Sequence, residues 1–193
     1  MPPQRVAIVG AGRLGTTVAS GLRAAGIEVA GPYGRDADPT AQAPEAGAPD
    51  VVLLCVPDSQ IAGAAAAISP GPLVGHCSGA TSLSALSPHE SFSLHPLMTV
   101  TEGEHPNRLR GAGAAIDGST ARALAAADGL ARTLGMRPVH VADADRVAYH
   151  AAASIASNFL VTLEWAAERL AATAGVDREL LAPLVRAAVE NWA

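Results

Sequence analysis

The stretch RVAIVGAGRLG, residues 5–15, leaves little freedom in what this chain can fold into. A short apolar run ends at Gly10, and Gly12 and Gly15 complete a G-x-G-x-x-G pattern ahead of a small-residue helix. A strand that runs straight into such a turn and then into a helix opens a βαβ unit. There Gly10 permits the tight turn, Gly12 admits a pyrophosphate against the backbone, and Gly15 lets helix and strand close on each other. Gly10, Ala11, Gly12, Arg13, Leu14 and Gly15 are thus the expected phosphate-binding residues, with the phosphates on free N–H groups at the helix start. The competing reading is a tight βα turn that binds nothing.

The rest of the chain supplies the alternation that this opening requires. A helix over residues 14–25 closes at Gly26, and IEVAG (27–31) is a second strand. Residues 32–50 are rich in Pro, Ala and Gly and are expected to hold only a short helix. VVLLCVPD (51–58) is a buried strand stopped by Pro57, with Asp58 placed to cap a helix reaching Ile68. PLVGHCSG (72–79), SFSLHP (91–96), GAGAAIDG (111–118) and RPVHVA (137–142) read as further strands, and Ser119 and Thr120 open a helix closing at Gly135. This rhythm predicts an α/β fold: a mainly parallel sheet with helices on both faces. From about Ala142 the character changes. Residues 144–174 contain no Pro or Gly and predict one long helix, and a second, over 178–192, is expected to be interrupted early by Pro183. The expected division is a dinucleotide-binding domain over residues 1–142 and a helical C-terminal domain over 143–193.

In an open α/β sheet, ligands bind beyond the carboxyl ends of the strands. About twenty residues past Gly15, where NAD-specific sites carry an acid, stand Arg35 and then Asp36. Arg35 can pair with a 2′-phosphate, which makes NADP the expected cofactor; a register one residue on would bring Asp36 to a ribose and favour NAD. Val56 and Pro57 shape a loop closing over the cofactor, and Ser78 reaches the mouth of the next strand. His95, directly before Pro96 at a strand end, is a candidate proton donor to an oxyanion. His76, within its strand, is a weaker candidate. On the long helix His150, Ser154 and Asn158 follow at four-residue spacing, with Ser157 and Tyr149 alongside, so they share a face. Such a row either bonds to a neighbouring helix or meets substrate. Arg108 and Arg110 could attract a substrate carboxylate or be solvated loop charges.

Composition narrows the function classes. A net charge of −5 gives no electrostatic footprint for nucleic acid or an anionic membrane. No apolar stretch is a convincing membrane span, since residues 147–163 carry His150, Ser154, Ser157 and Asn158. With no leader ahead of the first strand, a cytoplasmic protein is expected. Cys55 and Cys77 read as two reduced, buried thiols, and His76, Cys77, His89 and His95 lack metal-ligand spacing, so no metal is expected. All thirteen basic residues are arginine, so any mechanism that needs a lysine is excluded.

VGAGRLGT, GHCSGATSLSAL, SFSLHPLMTV and AYHAAASIASNFLVTL together resemble the Rossmann-like oxidoreductases that carry an uncharacterised helical C-terminal domain. That group is related to pyrroline-5-carboxylate reductase, ketopantoate reductase and the β-hydroxyacid dehydrogenases. The resemblance covers essentially the whole chain. It implies an NADP-dependent oxidoreductase reducing a small carbonyl or imine, such as a 2-oxo acid, and a homodimer formed through the helical domain. Some of these relatives use a helical lysine followed four residues later by asparagine. Without lysine, His95 or His150 would have to donate the proton. The reading from another class is a non-catalytic dinucleotide-binding protein whose helical domain is an interaction surface.

Overall fold

The computed structural model describes residues 3–41, 47–101 and 105–192. The chain divides into two compact units, Met1–Tyr149 and His150–Ala193.

The first unit is built on a seven-stranded sheet: β1 (Arg5–Val9), β2 (Glu28–Tyr33), β3 (Val51–Leu54), β4 (Leu73–His76), β5 (Ser91–Leu97), β6 (Gly113–Gly118) and β7 (Arg137–His140). Their spatial order is β2-β1-β3-β4-β5-β6-β7. The chain leaves β1 for β2 on one side and returns to β3 on the other, which places a topological switch point between β1 and β3. All neighbours run parallel except β5 and β6. This is a Rossmann-type α/β fold with one antiparallel pairing. Pro96 is tolerated inside β5 because the β4 pairing has already stopped at Ser93.

The runs Val6–Val9 of β1 and Val51–Leu54 of β3 are continuously apolar because both faces are covered. On one face Val6, Ile8, Val51, Leu53 and Phe92 pack with Val18 and Leu22 of α1 (Arg13–Ala24) and Leu130 of α3 (Ala121–Thr133). On the other, Val9, Val52, Leu54 and Val74 meet Ile61, Ala64 and Ala65 of α2 (Ile61–Ala66). With few aromatic side chains, the layers close through small residues. A Cβ on Gly75 would lie 2.4 Å from the Phe92 ring, and one on Gly118 would lie 2.3 Å from the Leu124 backbone nitrogen.

Several elements differ from the sequence expectation. Strand β2 extends to Tyr33, and the described part of residues 32–50 forms that strand end and turns, with no helix; residues 42–46 lie outside the description. Asp58 does not cap α2: its side chain makes no cap hydrogen bond, and a 3₁₀ turn over Asp58–Gln60 comes between it and the helix. Thr120 does cap α3, accepting from the Ala123 N–H at 3.1 Å.

The first turn of α4 (Arg146–Ser154) belongs to the first unit, and the second unit carries that helix onward. The expected single helix over 144–174 is helical throughout its middle but not uniform. A π turn over Ile155–Phe159 separates α4 from α5 (Leu160–Ala172). Ser157 Oγ donates to the Ala153 carbonyl at 2.9 Å, competing for the acceptor that a regular α-turn gives to the Ser157 N–H. Helix α6 (Arg178–Trp192) runs through Pro183 without interruption. Proline there removes the one bond that an N–H would make to the Glu179 carbonyl, and the turns on either side hold the helix.

The Gly75–Phe92 contact predicts that Gly75→Ala destabilises the chain by about 1–3 kcal/mol through overpacking. Adding Phe92→Leu should recover part of that loss. Urea denaturation of the two variants checks it; equal stability of Gly75→Ala and the parent would contradict the packing described.

Candidate dinucleotide cleft

The three glycines of the first turn are held to different degrees by the fold. Gly10 has φ +110°, and a Cβ there would sit 2.3 Å from the Cys55 carbonyl oxygen. A Cβ on Gly15 would sit 1.9 Å from the Gly10 carbonyl oxygen. Both are therefore required by backbone packing. A Cβ on Gly12 would meet nothing within 4 Å. Gly12 stands exposed at the N-cap of α1, whose first turn carries no acidic side chain. The first N–H groups of this twelve-residue helix thus point out beside an unfilled backbone.

A cleft of about 470 Å³ opens beyond the carboxyl ends of the strands at this point. It is lined by Gly12, Arg13, Leu14, Cys55, Val56, Pro57, Asp58, Cys77, Ser78, His95, Pro96, Met98 and Val100. Gly12, Arg13, Leu14, Val56, Pro57, Ser78 and His95, widely spaced in sequence, thus share one wall system. Gly10 and Gly15 form the turn beneath, and exposed Ala11 lies between Gly10 and Gly12. Arg35 is exposed in the turn just past β2, with Asp36 next to it. Hollows of about 600 and 780 Å³ are larger but lie at the amino ends of the strands, around Gln4 and Asp50. Neither is lined by the glycine turn, so the smaller carboxyl-end cleft is the better ligand site.

Ser78 is largely committed to its own loop. Its Oγ accepts from the Ala80 N–H at 3.1 Å and the Thr81 N–H at 2.9 Å. Cys77 is buried, but Cys55 is only half-buried, which corrects the expectation of two buried thiols. His95 sits inside β5, paired with Ala115, rather than at the strand's last residue. Its Nδ1 lies 2.7 Å from the Tyr149 hydroxyl, and the two rings meet edge to face. Burial raises the Tyr149 pKa, so the phenol keeps its proton.

The residue that sequence reasoning missed is Arg146. It is 3% exposed and spans the sheet face over β4, β5 and β6. Nη2 donates to Ser93 Oγ at 2.8 Å, Nη1 to the Ser78 carbonyl at 3.4 Å, and Nε to Asp143 at 3.3 Å. The Asp117 carboxylate, which also meets His140 Nε2 at 3.1 Å, lies 3.9 Å away. One helical turn before Tyr149, this buried guanidinium fixes the start of α4 and hence the Tyr149–His95 contact. The available signal was the polar alternation of Ser91, Ser93 and His95 along β5, which calls for a polar partner on that face.

His76 is fully buried in β4, and its Nδ1 accepts from the Ser78 N–H at 3.2 Å. Among the described residues Nε2 has no partner. Burial, and then the Arg146 charge, lower its pKa to about 4. His89 Nε2 donates to the Ala65 carbonyl at 3.0 Å and ties the β4–β5 connection to α2. Arg108 and Arg110 are exposed, and Arg108 donates to Thr101 Oγ1 at 3.0 Å. Among the described residues no group of three His, Cys, Asp or Glu side chains could hold a metal ion. No helix among them is long and apolar enough to cross a membrane.

His150, Ser154, Ser157 and Asn158 belong to the second unit. A uniform α-helix would rotate Asn158 by about 80° from His150 over eight residues. The wider π turn lowers the rotation per residue and brings Asn158 back toward the His150 meridian. His150 and Ser154 are half-buried and Asn158 is exposed.

Residues 113–193 match the family described as Domain of unknown function (DUF2520). That match runs from β6 to the C-terminus and spans less than half of the chain. Among solved structures, a Thermotoga maritima protein superposes with a TM-score of 0.74 at 22% identity, covering 96% of this chain and 77% of that one. A provisionally assigned NADP oxidoreductase from Bacteroides fragilis gives 0.73 at 18% identity, covering 96% and 79%. The Plasmodium falciparum pyrroline carboxylate reductase with NADP bound gives 0.68 at 13% identity, covering 97% and 76%. These likenesses show the fold. No curated protein matches the chain.

The His76 environment predicts acid sensitivity. The folded chain protonates this ring only near pH 4, whereas the unfolded chain does so near 6.5. Between those values the unfolded state binds more protons, so stability falls as pH drops from 6.5 toward 4, by up to about 3 kcal/mol. Urea midpoints against pH should show this fall, and His76→Gln should flatten it. An unchanged profile in the variant would contradict the assignment.

Proposed function

We propose that the chain is an NADP-dependent oxidoreductase that reduces a small carbonyl or imine compound, with the cofactor in the carboxyl-end cleft of the first unit. The observation that carries this reading is Gly12. Gly10 and Gly15 are demanded by the protein's own backbone, but the fold gives no reason for a missing side chain at Gly12. A pyrophosphate against the backbone does. The likeness to structures named as NADP oxidoreductases supports the same reading.

The residues present fit such a cofactor. The first N–H groups of α1 would take the pyrophosphate, Arg35 the 2′-phosphate, and Val56 and Pro57 the flank of the cleft. When bound, the cofactor would supply the hydride. His95 lies on the cleft wall, where its ring would pass a proton from Nε2 to a developing oxyanion or amine nitrogen. Tyr149 would set that tautomer by donating to Nδ1, and Arg146 fixes the start of the helix that carries Tyr149. The Asn-and-lysine device of some relatives is replaced by a His–Tyr couple, consistent with a chain that has no lysine. A small 2-oxo acid suits the exposed guanidinium groups of Arg108 and Arg110.

In the second unit, Leu163 is 67% exposed, Leu170 73%, Leu180 70% and Trp192 86%. So much exposed apolar surface supports pairing of two copies through the helices. Sedimentation should find a dimer at micromolar concentration that Leu163→Glu dissociates; a monomeric parent chain would contradict this. The same surface favours, as a second reading, a dinucleotide-binding protein whose helices dock a partner without catalysis.

Cofactor titrations and turnover separate these readings. Gly12→Ala should retain the parent's stability yet weaken NADPH binding about tenfold or more, whereas Gly15→Ala should lose the fold. Arg35→Asp should weaken NADPH far more than NADH; equal loss would contradict the 2′-phosphate assignment. Against a panel of 2-oxo acids and cyclic imines, His95→Asn should lower kcat about 10²-fold or more, and Tyr149→Phe about tenfold. Tight NADPH binding with no turnover on any substrate would favour the second reading.

A further inference from the structure

The two cysteines of the chain meet under the glycine turn. Cys55 follows β3 and Cys77 follows β4, each one residue beyond the paired Leu54 and His76. Neighbouring strands are about 4.8 Å apart, inside the Cα separation of about 4.4–6.8 Å that a disulfide spans. Their Sγ atoms lie 3.7 Å apart, and both thiols are free. Both residues line the cleft. Cys55 also carries the turn: its carbonyl faces Gly10, and its Cβ is 3.3 Å from where a Gly15 Cβ would stand.

We propose that Cys55 and Cys77 are a redox modification site, oxidised by hydrogen peroxide to a disulfide that weakens dinucleotide binding in the adjoining cleft. The effect on binding rests on the NADP reading above; the disulfide does not. Half-buried Cys55 reacts first. Its thiol gives up a proton, its sulfur attacks one peroxide oxygen, the O–O bond breaks, and hydroxide leaves and takes the proton as water. The resulting Cys55 sulfenic acid faces Cys77. The Cys77 sulfur attacks the Cys55 sulfur, the S–O bond breaks, and the hydroxyl leaves with the Cys77 proton as a second water. Two thiols are oxidised by two electrons in all, and one peroxide is reduced to two waters. The contact with Cys55, followed by burial, raises the Cys77 pKa, which suits it to the resolving role rather than to first attack.

The consequence is steric. The sulfurs must close from 3.7 Å to about 2.05 Å, which draws Cys55 toward Cys77 and away from its fit beneath Gly10 and Gly15. Because such coupling is reciprocal, bound NADPH should disfavour the disulfide to the extent that the disulfide disfavours NADPH.

The test uses the full chain, treated with hydrogen peroxide and then alkylated under denaturing conditions, with intact mass as the readout. The expected result is loss of two hydrogens with no alkylation, and two alkyl groups once dithiothreitol is added first. NADPH affinity should fall at least about tenfold on oxidation and recover on reduction. Cys55→Ser, whatever its own affinity, should show the same affinity before and after peroxide, and Cys77→Ser should form no intramolecular crosslink. Saturating NADPH should slow formation of the disulfide in the parent chain. Two alkylatable thiols after peroxide, or sulfinic and sulfonic acids on Cys55 without the crosslink, would overturn the proposal. So would a disulfide that leaves NADPH affinity unchanged. If the disulfide forms but the reduced chain binds no NADPH, the cofactor reading and the binding effect fall together, and the modification site stands.

Discussion

A methyl group on Gly10 would sit 2.3 Å from the Cys55 carbonyl oxygen, and one on Gly15 would sit 1.9 Å from the Gly10 carbonyl. This backbone-on-backbone contact between the first turn and the end of β3 is what the rest of the site depends on. It brings the start of α1 against the switch point between β1 and β3. The first N–H groups of α1, the Cys55–Asp58 loop and the Ser78 loop then converge on one cleft. Had either glycine carried a side chain, α1 would have to back away from the sheet, and its Val18 and Leu22 contacts would go with it. The candidate cleft and the hydrophobic core share this contact, so a side chain at Gly10 or Gly15 would disturb both.

The opposite face of the sheet is organised by a charge. Over β1 and β3 that face is apolar and covered by α2, but over β4 to β6 it carries His76, Ser93 and Asp117. Arg146 satisfies this polar half from the start of α4. A guanidinium 3% exposed is tolerable only because Ser93, the Ser78 carbonyl and two carboxylates surround it. Its field helps keep His76 neutral, and its helix sets Tyr149 on His95. The proposed proton-donating couple thus follows from how one buried cation is partnered.

Much of this was legible in the sequence because it is local. The glycine spacing, the apolar runs of β1 and β3, and Thr120 as a cap can each be read within a few residues. The antiparallel turn of β5 against β6 could not, since strand direction depends on a connection whose course the residues do not encode locally. Arg146 has no local signature because its Ser93 and Ser78 partners lie 53 and 68 positions away in sequence. Asp58 as a cap was a plausible local rule overridden by a 3₁₀ turn. The π turn at Ile155–Phe159 was hidden because periodicity assumes a uniform helix. For the site, Gly12, Val56 and His95 could be named in advance, but Tyr149 was a weaker candidate until its bond to His95 gave it a task.

The central claim is that the carboxyl-end cleft of the first unit is where a dinucleotide binds. Amide hydrogen exchange on the full chain, with and without saturating NADPH, tests it most directly. Slowed exchange should be confined to amides of residues 11–15, 55, 56, 58 and 77–79, with Arg5, Glu28 and Asp50 at the amino ends of the strands unchanged. Protection centred on those amino ends, or no protection under conditions that saturate the protein, would contradict it.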